Sequence, residues 1–218
     1  PSPVNESYLV QEKIIEAART SGAQAVHPGY GFLSENADFA GACEAAGLIF
    51  IGPSPDAIRL MGNKAEAKRR MLDAKVPCVP GYEGADQSDR ALIAEGEKIS
   101  APLMVKAAAG GGGRGMRLVN DMAELVNAIK LARAEAESAF GNGELILEKA
   151  IVRPRHVEVQ VFADTQGNTI HLGERDCSVQ RRHQKVVEEA PCPVMTDTLR
   201  AEMGAAAVAA AKSIHYRG

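Results

Sequence analysis

Glycine and lysine residues with the spacing of a phosphate site occupy the middle of the chain. A short apolar run that ends in Lys106 is followed by three alanines and by four consecutive glycines at positions 110–113. Glycine loses more conformational freedom on folding than any other residue, so a folded protein keeps such a run where the backbone must approach a ligand or must open and close. The bare N–H groups of a glycine loop suit an anion such as phosphate.

The residues after the glycines exclude two common nucleotide loops. A P-loop needs Gly-Lys followed by Ser or Thr, whereas Arg114 follows Gly113 here. A Rossmann fingerprint opens a helix, whereas Met116 to Val119 reads as a strand and a helix begins only after Asp121. The loop is therefore predicted to be the tip of a β-hairpin that forms a flap over a nucleotide. A flexible surface turn is the alternative that glycine alone would allow.

A second charged segment, at residues 174–191, concentrates arginine, lysine and histidine among acidic residues. Because residues two apart share a face of an extended strand, Arg181, His183 and Lys185 are predicted to point the same way. A cationic row of this kind suits an oxyanion or a phosphate. A solvated edge strand would have the same composition, and that interpretation stays open.

Three lysines could converge on one polyphosphate. Lys149 follows Glu148 at the end of a predicted strand, at the junction between two lobes, where nucleotides tend to bind. Lys106 lies on the neighbouring lobe, and Lys64 lies on the helix before a linker. Each lysine alone would usually be a solvated surface residue, and His27 is interpreted as a turn or packing histidine.

Composition excludes several classes of function. A formal charge of −3 over 218 residues gives no electrostatic case for nucleic acid, and no apolar stretch approaches the ~18 residues of a membrane span. The four cysteines form no CxxC pair, which favours reduced structural thiols over zinc or a disulfide framework. The chain starts without Met and stops directly after a helix, so we expect a segment of a longer protein.

Periodicity and capping residues predict the elements that position these side chains. Strand, helix and strand follow one another over residues 23–51, a βαβ pattern that predicts a parallel sheet. The next helix is predicted to start at Ser54, with Pro55 in its first turn, and to run with a polar interruption to Lys75.

The pattern changes after a predicted linker at residues 77–81. A helix near 88–99, the glycine hairpin, a helix over 121–140 and a strand over 144–148 predict a small α+β lobe. From residue 155 the alternation predicts two antiparallel strands joined by a turn at 166–168. A last helix is predicted from Asp197 to Ile214, capped by Thr196.

Six segments carry a family resemblance, in order and without evident gaps: HPGYGFLSEN (27–36), MGNK (61–64), VPCVPG (76–81), VKAAAGGGGRGMR (105–117), EKAIVRPRHVEVQV (148–161) and ERDCSVQRRHQKVVEEAP (174–191). They resemble biotin carboxylases, which are ATP-grasp enzymes, and most closely the α subunits of biotin-dependent acyl-CoA carboxylases. The glycine loop alone would also suit other ATP-grasp enzymes, such as carbamoyl-phosphate synthetase. The RRHQK and HPGYGFLSEN segments are more specific.

The resemblance implies an α/β ATP-grasp fold in three parts. Residues 1–77 would be the remainder of the N-terminal biotin carboxylase domain, the end of a parallel αβ pre-ATP-grasp domain. Residues 78–150 would form the small α+β lid lobe with the glycine-rich hairpin. Residues 151–218 would begin the larger antiparallel ATP-grasp lobe.

The resemblance also implies site residues. Positions that match ATP-binding residues of the family are Lys64, Lys106, Gly112, Gly113, Met116, Glu148, Lys149, Ile151, His156, Gln180 and His183. Among these, the first two lysines match phosphate contacts, the glycines and the methionine match the flap, and Glu148, Lys149 and Ile151 match the hinge that receives adenine. Lys185 matches a lysine at the bicarbonate end of the site and is the expected catalytic residue.

The chemistry that the resemblance implies is carboxylation of biotin. ATP would phosphorylate bicarbonate to carboxyphosphate, and the released CO2 would be captured by N1′ of biotin, with ATP and Mg²⁺ required. The family's metal ligands and biotin-handling residues come after Gly218, so we expect no metal site within the chain and no turnover by this segment alone. The alternatives are a ligase of carbamoyl-phosphate synthetase type and a non-catalytic interaction module.

Partners and location are also implied by the resemblance only. A biotin carboxyl carrier protein or domain, a carboxyltransferase subunit and bicarbonate are the expected partners, with a homodimer possible and neither nucleic acid nor membrane involved. The expected compartment is the cytoplasm, or the mitochondrial matrix if the source is eukaryotic. The acyl group that the parent enzyme serves is not encoded in this segment.

Overall fold

The structure is a computed structural model that describes residues 3–109, 115–181 and 184–218. Its first part alternates helices and strands, as the βαβ pattern predicts. After a 3-10 turn at Val4–Glu6 come α1 (Gln11–Ser21), β1 (Ala25–Val26), α2 (Ala37–Ala45) and β2 (Ile49–Phe50). Strands β1 and β2 are parallel. The side chains buried beneath them are Ala18, Phe39, Ala40, Cys43, Leu48 and Phe50.

Capping side chains set the helix starts in this part. The Asn36 side chain accepts a hydrogen bond from the Phe39 N–H at the start of α2. The predicted helix from Ser54 to Lys75 is divided in two, α3 (Pro55–Gly62) and α4 (Lys64–Asp73). The division falls at Asn63, whose extended backbone ends α3 and whose side chain accepts from the first N–H groups of α4. The polar interruption is therefore an N-cap.

A four-stranded antiparallel sheet follows. Its elements are β3 (Gly81–Tyr82), α5 (Asp89–Ile99), β4 (Leu103–Ala107), β5 (Met116–Val119), a 3-10 turn at Met122–Glu124, α6 (Leu125–Phe140) and β6 (Leu145–Lys149), with strand order β3-β6-β4-β5. Gly81, predicted to lie in a linker, pairs with Glu148. The antiparallel pairing of Lys106 with Met116 confirms that the glycine run connects two strands of a hairpin.

The two faces of this sheet pack against different helices, and this packing determines where Lys106 lies. Leu103, Val105 and Leu147 are fully buried against α5 and α6. Lys106 alternates with Leu103 and Val105 on β4 and so points to the other face. On that face Ile146, the cross-strand partner of Lys106, packs against Ala65 of α4. The lysine therefore lies between the sheet and α4.

A second antiparallel sheet ends the chain. It contains β7 (Val157–Ala163), β8 (Thr169–Arg181) and β9 (Gln184–Glu189), and α7 (Asp197–Ser213) packs on β7 and β8. The predicted cap Thr196 accepts a hydrogen bond from Leu199 N–H. Within the described ranges, no helix combines the length and the apolar character needed to cross a membrane.

The predicted cationic row is wrong for Arg181 and Lys185. Strand β8 ends at Arg181, which pairs with Gln184 at the start of β9, so the two cations lie on different strands. The partner of Lys185 is Gln180. Because neighbours in sequence alternate between faces, Gln180 and Lys185 share one face and Arg181 lies on the other. His183 lies outside the described residues.

Candidate nucleotide site

Two lysines from different elements meet where α4 begins beside β4. The Lys64 N–H donates to the Ala108 carbonyl at 2.8 Å, and Asn63 forms an antiparallel bridge with Ala109. Lys64 Nζ also donates to the Ala109 carbonyl at 3.4 Å. Burial, and next the positive charge of Lys106, lower the pKa of Lys64. Two lysines beside the segment that leads into the glycine run suit a polyanion.

The Glu148 carboxylate joins this cluster from β6. Its Oε2 accepts from Lys106 Nζ at 2.5 Å and its Oε1 accepts from Lys68 Nζ at 3.0 Å. Burial alone would raise the pKa of Glu148, but the hydrogen bonds and charges of Lys106 and Lys68 outweigh it and the pKa lies below its ordinary value. The carboxylate is therefore held ionised between two cations.

Lys68 and Glu83 were not identified from the sequence. Lys68 is only 8% exposed, and its Nζ lies 3.5 Å from Glu83 Oε2 as well as near Glu148. The available signal was spacing, because Lys68 follows Lys64 by one helical turn and therefore shares its face of α4. Nothing local in the sequence connects α4 to β3 and β6, since these contacts join distant parts of the chain.

The Lys149 ammonium does not converge with the other lysines, which corrects the three-lysine hypothesis. Its Nζ donates to the carbonyls of Ala101 at 3.0 Å and Ser100 at 3.2 Å, beyond the end of α5. Lys149 follows Glu148 on β6, so the two side chains leave the strand on opposite faces. Ile151, just after this strand, is 60% exposed.

The second cluster of predicted residues lies on the β7-β8-β9 sheet. The Glu158 carboxylate of β7 forms ion pairs with Lys185 and with Arg175, and Arg175 Nε lies 3.4 Å from Glu188. The hydrogen bond from Lys185, followed by that from Arg175, lowers the pKa of Glu158 against the effect of burial. The same bond raises the pKa of Lys185, so its ammonium is retained.

His156 and Gln180 meet beside this cluster. The Gln180 amide nitrogen lies 2.8 Å from His156 Nδ1 and donates to the Cys177 carbonyl at 2.8 Å. The His156 N–H donates to Ser178 Oγ at 2.9 Å. Gln180 pairs with Lys185, so three of the predicted positions lie together on one sheet. Glu158 was not identified, although the alternation of residues 156–160 places it on the same face as His156.

The remaining predicted positions belong to the hairpin. Met116 is half-buried at the start of β5, opposite Lys106. Gly112 and Gly113 lie outside the described residues, as does His183 of the second cluster.

The described residues contain one group with the composition of a metal site. Glu158, Cys177 and Glu188 bring ligand atoms within 4.8 Å of one another. Arg175 and Lys185 already neutralise Glu158, and burial raises the pKa of the Cys177 thiol. A magnesium ion prefers oxygen ligands in octahedral geometry, so this group does not fit it.

Comparison with known proteins identifies the family. Residues 1–58 match the model described as "Biotin carboxylase, N-terminal domain". Residues 63–218, most of the chain, match "Carbamoyl-phosphate synthase L chain, ATP binding domain". The chain belongs to the biotin carboxylase family. The predicted α/β ATP-grasp fold is thereby confirmed.

Two curated relatives match the chain over its whole length. The mitochondrial methylcrotonoyl-CoA carboxylase subunit alpha of Dictyostelium discoideum is 55% identical over 218 residues, which cover 100% of this chain and 31% of that protein. The biotin carboxylase of Allochromatium vinosum is 55% identical over 219 residues, 100% of this chain and 49% of that protein. The chain thus spans about half or less of the length of these biotin carboxylase relatives.

A solved biotin carboxylase structure has the same fold. It is the biotin carboxylase domain dimer of Hydrogenobacter thermophilus 2-oxoglutarate carboxylase, in complex with MgADP, ADP and bicarbonate. It superposes with a TM-score of 0.90 at 49% identity, over 97% of this chain and 47% of that one.

Proposed function

We propose that the chain forms the nucleotide-binding part of an ATP-dependent biotin carboxylase, within a biotin-dependent acyl-CoA carboxylase. The observation that supports this most is that Lys64 bonds to the Ala108 and Ala109 carbonyls, on the segment that leads from Lys106 into the glycine run. A triphosphate carries enough negative charge to contact both ammonium groups at once.

The reaction proposed has two steps. ATP transfers its terminal phosphoryl group to bicarbonate, giving ADP and carboxyphosphate, whose breakdown to phosphate releases CO2. N1′ of biotin then attacks the CO2 carbon and loses its proton, which gives carboxybiotin. Positioning and charge neutralisation account for most of the acceleration in phosphoryl transfer, and lysines at a half-buried site supply both.

Different parts of the chain take different parts of ATP in this proposal. Lys64 and Lys106 bind phosphate oxygens, and Met116 belongs to the flap; the sequence predicts the same role for Gly112 and Gly113, which lie outside the described residues. The backbone around Glu148, Lys149 and Ile151 receives the adenine, a role in which the Lys149 side chain can remain bonded to Ser100. His156 and Gln180 take the ribose and phosphate end of ATP; the sequence predicts the same role for His183, which lies outside the described residues.

Lys185 is the proposed catalytic residue. Its ammonium is oriented by Glu158, which Arg175 holds from the other side. A fixed cation that keeps its proton can bind the bicarbonate oxyanion and stabilise charge on the transferring phosphoryl group. His156 and Gln180, which lie beside Lys185, would then orient the neighbouring phosphates.

Magnesium is required by the proposed chemistry, and the Glu158, Cys177 and Glu188 group does not fit that ion. We propose that the magnesium ligands and the biotin-handling residues are supplied from outside this segment. In this proposal a polypeptide of residues 1–218 alone binds ATP weakly and does not turn over.

Partners follow from the names of the relatives and remain proposals. Methylcrotonoyl-CoA carboxylase implies a biotin carrier and a carboxyltransferase subunit, and the Hydrogenobacter domain is a dimer. The Dictyostelium relative is described as mitochondrial; for this chain, cytoplasm or mitochondrial matrix stays a prediction.

The experiment that tests the proposed function compares acceptors. The natural full-length protein is supplied with ATP, Mg²⁺ and bicarbonate, and ADP release is measured with free biotin or with ammonia. Stimulation by biotin supports the proposal. Stimulation by ammonia alone supports a carbamoyl-phosphate synthetase type of ligase, the family after which the longer matching model is named. No ADP release with either acceptor supports a non-catalytic module.

A further inference from the structure

Lys68 is a buried cation with two acidic partners. Its Nζ donates to Glu148 Oε1 at 3.0 Å and lies 3.5 Å from Glu83 Oε2, while the residue is 8% exposed. Removing a charge from water is expensive unless it is paired with good geometry. Within the described part of the chain, Glu83 Oε2 accepts no hydrogen bond. Glu148 is therefore the better-bonded of the two partners of Lys68.

The absence of a side chain at Gly81 leaves room for the Lys68 ammonium. Gly81 of β3 pairs with Glu148, and a Cβ added at Gly81 would stand 2.6 Å from Lys68 Nζ. The same Cβ would stand 2.2 Å from the carbonyl oxygen of Leu147. Only glycine lets the lysine cross β3 closely enough to reach the carboxylate on β6.

Glu148 divides its two oxygens between two lysines. Oε1 receives Lys68 and Oε2 receives Lys106. If Lys68 were absent, Lys106 would be the cation left to the half-buried carboxylate among the described residues, and both oxygens would compete for that ammonium. The phosphate-binding lysine would then be held more strongly by the protein and less available to an anion.

We propose that Lys68 is a positioning residue of the nucleotide site: it fixes and neutralises Glu148, so that Lys106 can be shared with a nucleotide phosphate. This inference rests on the proposed function, because it requires that Lys106 bind phosphate. Lys68 itself does not contact the nucleotide. It acts through Glu148, which gives the proposal a thermodynamic signature.

The signature is non-additivity in a double-mutant cycle. ATP binding to the natural full-length protein is measured by titration calorimetry for wild type, Lys68→Met, Glu148→Gln and the double variant. Lys68→Met should weaken binding about tenfold, the size of one hydrogen bond to a charged group. In the Glu148→Gln background the same change should alter Kd by less than about twofold, because the neutral amide no longer retains Lys106.

Two further variants test whether the effect comes from the charge of Lys68 itself. Lys68→Arg keeps the charge and should restore most of the affinity, whereas Lys98→Met, at an exposed lysine of α5 paired with Glu95, should leave it unchanged. If Lys68→Met does not fold, Lys68→Gln replaces it in the cycle, since it removes the charge but keeps a donor. Additive losses in the two backgrounds, or an unchanged Kd in Lys68→Met, would overturn the inference. Absence of ATP binding by wild type would instead overturn the proposed function.

Discussion

Glu158 on β7 and Lys185 on β9 form an ion pair that crosses the middle strand of their sheet. Their partners on that strand are different residues, Arg175 opposite Glu158 and Gln180 opposite Lys185. The pair therefore joins two edge strands across β8, and Glu158 lies close to the buried Cys177. The Glu158 carboxylate thus orients Lys185, the lysine that we expect to bind bicarbonate.

Replacing Glu158 by Gln should impair bicarbonate use more than ATP binding. Loss of the carboxylate removes the main cause of the raised pKa of Lys185 and frees its ammonium from a fixed position. We expect kcat/KM for bicarbonate to fall about tenfold to a hundredfold, the range for a hydrogen bond to a charged group. Steady-state ADP release at varied bicarbonate measures it. Glu202→Gln, an exposed glutamate of α7, is the matched control, and equal effects of the two changes would refute the role of Glu158.

Gly81→Ala should damage both stability and the nucleotide site. The added methyl group meets the Leu147 carbonyl and the Lys68 ammonium, so β3 or α4 must shift. We expect the free energy of unfolding to fall by about 1–3 kcal/mol, as for other overpacked sites, and ATP binding to weaken. Urea unfolding and calorimetry measure the two effects. Gly62→Ala introduces the same group where nothing lies within 4 Å, and a similar loss there would argue against the steric cause.

Acid should destabilise the β7-β8-β9 sheet through two buried carboxylates. Hydrogen bonds from Arg200 lower the pKa of Glu174, and hydrogen bonds from Ser178 and Arg155 lower that of Asp176. The folded state therefore binds fewer protons than the unfolded state. The resulting stability is present above the unfolded pKa values of about 4.3 and about 3.9 and is lost as pH falls towards the lower folded values.

Arg200→Met should move this acid transition to higher pH, because the folded pKa of Glu174 rises towards its ordinary value when its main partner is removed. Circular dichroism during titration from neutral pH to pH about 3 measures the midpoint. Arg90→Met removes the same charge from an exposed position on α5. Identical midpoints for the two variants would contradict this assignment of Glu174.

Local signals in the sequence correctly predicted helix starts and a hairpin, because these features depend on neighbouring residues. The predicted caps Ser54 and Thr196 each cap the helix that follows them, and the strand composition after the glycines correctly predicted a hairpin. These features depend on hydrogen bonds within a few residues, which propensity and capping rules describe.

Contacts between distant segments could not be predicted in this way. The Lys68–Glu148 pair spans 80 residues of sequence, and nothing in either segment indicates the other. Arg181 and Lys185 were assigned to one face because alternation was extended across the point where β8 gives way to β9. Lys149 was assigned to the site from its position in sequence, although strand alternation with Glu148 directs it away.

The central claim is that Lys64 and Lys106 form the polyphosphate site, and calorimetric titration of the natural full-length protein with ATP tests it most directly. We predict measurable binding by wild type and by Lys98→Met, and a Kd raised about tenfold to a hundredfold in Lys106→Met, since a hydrogen bond to a charged group is lost. Binding by Lys106→Met that is as tight as that of wild type would contradict the account.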